Sequence, residues 1–219
     1  MIRIRKGPEP KSWAEYRLST PGATFDDAPK VDLRRALLSE QGYLCCYCMR
    51  RIDEDTTRIE HRIPREKLKE LRFGVFDYWN LLAACDGGEG LTAEQQHCDV
   101  LKHHHEIALD PAHPSRDVET RLRYSVSGAI DARDKDQAVR HDLNVTLNLN
   151  LEWIRDARLD VLQGFLDGFE RKHQGSWSAA VIERELKKWT RIPRGGKLAA
   201  YAGIVVHYLK ERLRRVAAR

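Results

Sequence analysis

Apolar residues recur most regularly in the C-terminal half of the chain. Leu151, Ile154, Val161, Leu162, Phe165, Leu166 and Phe169 follow the 3.6-residue period and define one face of a long amphipathic helix. Trp177 to Thr190 predicts a second helix, Pro193–Gly196 breaks it, and a third runs from Leu198 through Tyr201, Val205, Tyr208 and Leu209 to Leu213. Stripes of this kind belong far more often to a core than to a binding face. Upstream, Leu33, Ala36, Leu37 and Leu38 predict a helix over Val31–Gln41 that stops at Gly42.

Elsewhere the period changes to two. Thr57–Ile63 alternates and is rich in β-branched residues, which predicts a strand ended by Pro64, and Asn80–Ala84 predicts a second. A short helical insert, Glu66–Leu71, lies between them. Asp99–Leu109 predicts a helix stopped by Asp110-Pro111, and Arg121–Val126 with a turn at Gly128 predicts a β-hairpin. Residues 1–30 are punctuated by Gly7-Pro8, Pro10, Pro21-Gly22 and Pro29, so they read as an irregular arm with one short helix around Trp13–Arg17. The expected class is α+β, mostly α. Residues 31–114 form a core holding the strands and the cysteines, and residues 115–219 a β-hairpin plus a helical module suited to docking a partner.

Composition narrows the picture modestly. The chain has 219 residues, a net charge of +5 and 32% charged residues, which suits a polyanionic partner such as nucleic acid without requiring one. No apolar run approaches the roughly 20 residues of a membrane span, and the basic start Met1–Lys6 lacks the apolar core of a secretory signal. A cytoplasmic location is expected, with no membrane partner. The five cysteines are then better read as metal ligands plus one spare than as disulfides.

Cys45-x-x-Cys48 offers two thiolates from one tight turn, and Cys85 and Cys98 can close a structural zinc site. The bulge Asp86–His97 between them is wider than the usual second C-x-x-C, Cys46 is the spare thiol, and His97 is a possible substitute for Cys98. Four thiolates leave no open coordination position, so this metal's role is structural.

Threaded through the cysteines is a second constellation. His61 can be neutral at cellular pH and take a proton from water. Glu60 faces the other side of the strand, yet at its end the carboxylate can swing onto a metal. Asp99 and His103 are four apart, so on a helix they share a face and can complete a site for a hard divalent ion. Asn80 can hydrogen-bond and orient His61. Lys102 either contacts a flanking phosphate or is a helix-surface lysine. Together these groups supply an activated water and charge neutralisation, the needs of phosphodiester hydrolysis.

Leu44-Cys-Cys-Tyr-Cys48, Ile59-Glu-His-Arg-Ile-Pro64, Asn80-Leu-Leu, Cys85 and Cys98-Asp-x-x-Lys102 resemble the HNH endonuclease motif on a ββα-metal fold, in its zinc-containing form. The likeness is most specific to the HNH subunit of Septu-type anti-phage systems, also found with some retrons. It extends to Leu37-Leu-Ser-Glu-Gln41, Leu147-Asn-Leu-Asn-Leu151 and the helical C-terminal half. The resemblance implies His61 as general base, Asn80 as its orienting residue, Glu60, Asp99 and His103 as ligands of a catalytic metal, and an ATPase partner that governs the nuclease. More usual HNH sites carry Asn or His where Asp99 stands; the extra carboxylate favours Mg²⁺ or Mn²⁺.

Three rival readings share parts of this pattern. A zinc-stabilised adaptor without catalysis would use the same cysteines and helices. A stand-alone restriction-type HNH enzyme would need an appended recognition domain, and none is visible. A zinc deaminase, prompted by His104-His-Glu106, requires a P-C-x-x-C downstream of its H-x-E, whereas here the C-x-x-C lies upstream.

Overall fold

The computed structural model describes residues 1–71, 74–192 and 196–218. It is α+β and mostly helical. In chain order the elements are α1 (Lys11–Ser19), α2 (Val31–Glu40), β1 (Arg58–His61), α3 (Arg65–Leu68), β2 (Leu81–Ala84), α4 (Cys98–Lys102), β3 (Leu122–Tyr124), β4 (Ile130–Ala132), α5 (Gln137–His141), α6 (Glu152–Lys172), α7 (Ala179–Thr190) and α8 (Ala202–Ala217). β1 and β2 pair antiparallel with His61 opposite Leu81, and β3 pairs with β4. No described helix is long and apolar enough to cross a membrane.

The helices form where the apolar period places them. Leu33, Leu37 and Leu38 of α2 are buried, and Asp32 in its first turn suits the helix dipole. The end of α2 is then locked into the site region. Gln41 donates to the carbonyls of Leu44 (2.9 Å) and Ala83 (2.8 Å) and accepts from the Ala83 amide (2.8 Å). α6 buries Ile154, Phe165 and Phe169 on the expected face, and Arg158, at a helical step between them, is buried too. Its guanidinium donates to the Gly128 carbonyl at 3.1 Å. The hairpin turn sits so close to α6 that a Cβ at Gly128 (φ +72°) would lie 2.3 Å from the Arg155 carbonyl oxygen.

One buried apolar cluster draws on residues from Met1 and Trp13 through Leu81–Ala84 to Leu143 and Ile154, so the arm, the core and the hairpin share it. A second cluster joins α6, α7 and α8 through Phe165, Phe169, Trp177, Ile182, Val205 and Leu209. The arm is tied down: the Trp13 indole donates to the Phe76 carbonyl at 3.0 Å, and the Ile4 amide to the Pro111 carbonyl at 2.8 Å.

Several boundaries differ from expectation. The strand expected over Thr57–Ile63 is confined to Arg58–His61, and Asn80 precedes β2 in a 3₁₀ turn, Tyr78–Asn80. α7 starts two residues later than Trp177, after Ser178, whose hydroxyl caps it. α8 starts at Ala202 rather than Leu198, because Tyr201 takes a left-handed conformation. Of the break expected at Pro193–Gly196, residues 193–195 lie outside the described residues. α4 is the largest correction: it ends at Lys102, not Leu109. His103 turns over (φ 47°, ψ −116°), and the amides of Ala108 and Leu109 are taken by the Asp142 carboxylate at 2.7 and 3.1 Å. A wide π-type turn over Asp142–Thr146, unforeseen in the sequence, presents that carboxylate.

Candidate functional site

The thiol cluster is assembled by two turns. In the first, the Cys45 amide donates to the Arg50 carbonyl at 2.9 Å and the Met49 amide to the Cys45 carbonyl at 3.1 Å, while Met49 takes a positive φ. The Arg50 amide then points at Cys48 Sγ, 3.4 Å away, a donor that suits a thiolate. In the second, β2 delivers Cys85 and α4 opens on Cys98. The long Asp86–His97 bulge closes on itself, the His97 amide donating to the Gly87 carbonyl at 2.9 Å. Only glycine fits there: at φ +58° a Cβ on Gly87 would sit 2.5 Å from the His97 carbonyl oxygen. The neck of this loop is narrow, so a wide gap in sequence costs nothing in space.

The segment Leu147–Leu151 straps this loop in place. The Cys98 amide donates to the Leu147 carbonyl (2.9 Å), and the Asn148 side chain donates to the carbonyls of Glu94 and Gln96, both at 3.0 Å.

The sulfur atoms of Cys45, Cys48, Cys85 and Cys98 all lie within 4.8 Å of one another and all four residues are buried. The Cys45–Cys98 and Cys48–Cys85 pairs are each 3.8 Å apart. Four sulfurs held about 2.3 Å from one ion at tetrahedral angles are about 3.8 Å apart, so the group fits a metal such as zinc. Burial raises the Cys45 pKa, but hydrogen bonds with Cys46, Cys48, Cys85 and Cys98 outweigh it and hold this thiol well below its ordinary range. Burial pushes Cys98 and Cys46 well up. His97 is not in the set: its Nε2 lies 3.7 Å from Cys85 Sγ, its ring meets Trp153 edge-on, and its Nδ1 is enclosed without a hydrogen-bond partner. Cys98 therefore supplies the fourth sulfur.

Cys85 follows Ala84, which pairs with Arg58 at the start of β1, and His61 stands at the strand's other end, opposite Leu81. His61 is 6% exposed, and its Nε2 stands 2.9 Å from the Val75 carbonyl oxygen. A carbonyl only accepts, so Nε2 carries the proton and Nδ1 the lone pair. Nδ1 has no partner among the described residues and is not one of the fully enclosed unpaired atoms. Burial drops the His61 pKa to about 4, so the ring is neutral at neutral pH. On the other face Glu60 receives the Tyr47 hydroxyl at 2.7 Å and the Lys102 ammonium at 2.7 Å. Burial, and then hydrogen bonding to the Asp99 carboxyl, push the Glu60 pKa well above the usual range, while Lys102 draws it back.

Three sequence assignments change. Asn80 does not touch the His61 ring; its side chain spans the backbone of Ile63, accepting from the amide (2.8 Å) and donating to the carbonyl (3.0 Å). Lys102 is fully buried, bonded to Glu60 and to the His61 carbonyl (3.1 Å), so it cannot reach a flanking phosphate. Asp99 and His103 do not share a helix face, because the chain reverses at His103, whose exposed ring packs on His104 at 3.6 Å between centroids. Among the described residues the four-cysteine set is the only group of three or more His, Cys, Asp or Glu side chains close enough to share an ion, so Glu60, Asp99 and His103 do not form a triad. What remains is the Glu60–Asp99 carboxyl pair.

Tyr47 and Val75 were missed. Tyr47 lies between Cys46 and Cys48, where an aromatic reads as core. Val75 acts through its backbone oxygen, for which side-chain identity carries no signal. No protein-family model matches the chain, and no curated protein is significantly similar to it.

Proposed function

We propose that the chain is a metal-dependent endonuclease of HNH type, with β1, β2 and α4 as its ββα-metal core and Cys45, Cys48, Cys85 and Cys98 as a structural zinc clamp. The hydrogen bond from His61 Nε2 to the Val75 carbonyl carries the reading. It fixes the tautomer in which Nδ1 is the base, at the end of a strand. His61 Nδ1 takes a proton from water, the water oxygen attacks phosphorus in line, and the bond to the 3′ oxygen breaks, that oxygen leaving with the electron pair and taking a proton from solvent. Glu60 and His61 leave β1 on opposite faces. Lys102 holds Glu60 and the His61 carbonyl together, a positioning role rather than a phosphate contact.

Glu60 and Asp99 would hold Mg²⁺ or Mn²⁺, Glu60 by giving up Tyr47 or Lys102, and the ion would supply charge stabilisation for the phosphate and the departing oxygen. Mg²⁺ commonly binds through one or two carboxylates plus substrate phosphate, so such a pair would be enough. The resemblance in Leu37–Gln41 and Leu147–Leu151 supports the narrower reading: an effector subunit of a Septu-type anti-phage system, working on nucleic acid in the cytoplasm under an ATPase partner. α6–α8 are the module offered to that partner.

The test is incubation of the purified chain, alone and with the proposed ATPase partner, with plasmid, single-stranded DNA and tRNA in Mg²⁺ or Mn²⁺. Cleavage abolished by His61→Ala, with zinc content and fold unchanged, is the expected result. No cleavage of any substrate under all of these conditions overturns the proposal. One observation favours the rival adaptor reading: Glu60 is already satisfied by Tyr47 and Lys102, as a structural core group would be. Under that reading the zinc remains and cleavage does not occur.

A further inference from the structure

The loop between α1 and α2 lies over His61. Phe25 is 7% exposed and its ring meets the imidazole of His61 at 4.5 Å between centroids, tilted by 64°. The Arg65 guanidinium stands 5.1 Å from the other partner in this stack, the Phe25 ring, and Lys30 Nζ is also 5.1 Å from it. Next to Phe25, Asp26 forms two parallel bonds with Arg65, Nη1 to Oδ1 at 3.1 Å and Nη2 to Oδ2 at 3.0 Å. This fork is the geometry in which arginine holds a phosphate. Yet the pair stands in solvent, its side chains 42% and 72% exposed, where an ion pair adds little to stability.

The other arginines around the site are occupied by carboxylates from the core itself: Arg62 by Asp110 at 3.1 Å, and Arg58 by Glu89 at 2.6 Å and Asp99 at 3.4 Å. Asp26 alone is brought in by the arm. Its loop is seated through Phe25, which packs on Trp13 at 5.6 Å as well as on His61, while Asp26 itself stays in solvent. The Tyr16 hydroxyl and the Lys30 ammonium donate to the backbone carbonyls of Thr24 (3.3 Å) and Asp26 (2.7 Å), Thr24 and Asp27 bond each other, and among the described residues the side-chain hydrogen bonds of Thr24–Asp27 reach across to the site only at Arg65. The flanking helices have their own anchors in the core, α1 through Trp13, which also meets Phe25, and α2 through Leu33, Leu37 and Leu38.

We propose that the loop at residues 20–30 is a lid over His61, that Arg65 is the site's contact for the nucleic-acid backbone, and that Asp26 occupies Arg65 in place of a phosphate until substrate displaces it. The Arg65 assignment rests on reading His61 as the catalytic base; the lid does not. A buried imidazole cannot meet water and a polymeric phosphate at once. An incoming phosphodiester competes for the Arg65 fork, frees Asp26, and lets Phe25 withdraw from the imidazole.

Two measurements on the full-length, zinc-loaded chain test this. The first is the rate at which diethyl pyrocarbonate modifies His61, followed by peptide mass spectrometry, with exposed His103 as internal reference. Wild-type His61 reacts about tenfold more slowly than His103 or less, a protection that follows from local opening free energy. Asp26→Ala, a surface change that leaves the core intact, and Phe25→Ala both raise the His61 rate severalfold. Equal His61 rates in wild type and both variants overturn the lid, whether or not any variant cleaves nucleic acid. The second is fluorescence anisotropy of a single-stranded oligonucleotide without added divalent ion. Asp26→Ala tightens binding more than Asp27→Ala, which removes the same charge one residue away. Arg65→Ala weakens it about tenfold and Arg65→Lys recovers part of that loss, within the range of one bidentate contact. Identical effects of Asp26→Ala and Asp27→Ala, with Arg65→Ala neutral, overturn the Arg65 assignment.

Discussion

Lys102 Nζ lies 2.7 Å from Glu60 Oε1, and neither side chain is more than 3% exposed. The pair joins α4 to the end of β1, and the same ammonium donates to the His61 carbonyl. Removing the lysine leaves a carboxyl and a carbonyl buried without their cation. Lys102→Ala should therefore lower stability by about 3–5 kcal/mol, whereas Lys102→Met combined with Glu60→Gln should cost much less, because no charge is then stranded. Urea unfolding of the zinc-loaded protein measures both. A Lys102→Ala loss under about 1 kcal/mol would falsify the clamp.

The thiol group predicts one tightly held metal per chain. Cys98→Ser should abolish cooperative unfolding or lower zinc content, since binding of this class is worth an apparent ~10–16 kcal/mol in zinc-finger peptides. Cys46→Ser should leave metal content unchanged, because Cys46 is not in the set. Elemental analysis after dialysis against a chelator distinguishes the two. Equal zinc loss from both would mean that the ligand set is wrong.

Gly87→Ala meets two penalties, a positive φ and a Cβ 2.5 Å from the His97 carbonyl oxygen. Strain of this kind costs about 1–3 kcal/mol. The expected result is a lower thermal midpoint together with faster zinc release to a chelator, as the neck between Cys85 and Cys98 opens. Gly164→Ala, on α6 with open space around its Cβ, is the control and should be neutral or stabilising.

His207 on α8 packs on Tyr124 at 5.6 Å between ring centroids, and burial lowers its pKa from 6.5. Glu211 opposes that shift, whereas Arg133, Arg214 and the chain's amino group reinforce it. The folded state resists a proton that the unfolded chain accepts, so stability falls as pH drops below about 6.5. His207→Gln should make the urea midpoint less sensitive to a change from about pH 7.5 to pH 5.5. An unchanged pH dependence would rule out His207 as a contributor.

Much of the architecture was legible locally. The periods of α2, α6 and α7, the Gly128 turn and the first cysteine pair each depend on residues within one or two turns of each other. The site was legible only in part, because its partners are distant in sequence or act through the backbone. The second cysteine pair looked too widely spaced until the Gly87–His97 closure brought its ends together. The Asp99–Leu109 helix had an acceptable pattern, but Asp142, more than thirty residues on, takes the amides that its last turn needed.

The sequence by itself singled out the four thiols that the fold gathers into one cluster, and marked Glu60–His61, Asn80 and Asp99 as candidate groups in their order along the chain. Only the tertiary structure decided their company. It placed Asn80 on Ile63, sealed Lys102 against Glu60, turned His103 away, and laid Phe25 over His61. The reason is physical. Periodicity and turn chemistry are properties of short segments, whereas burial and hydrogen-bond partners depend on which distant segments the core packs against each other.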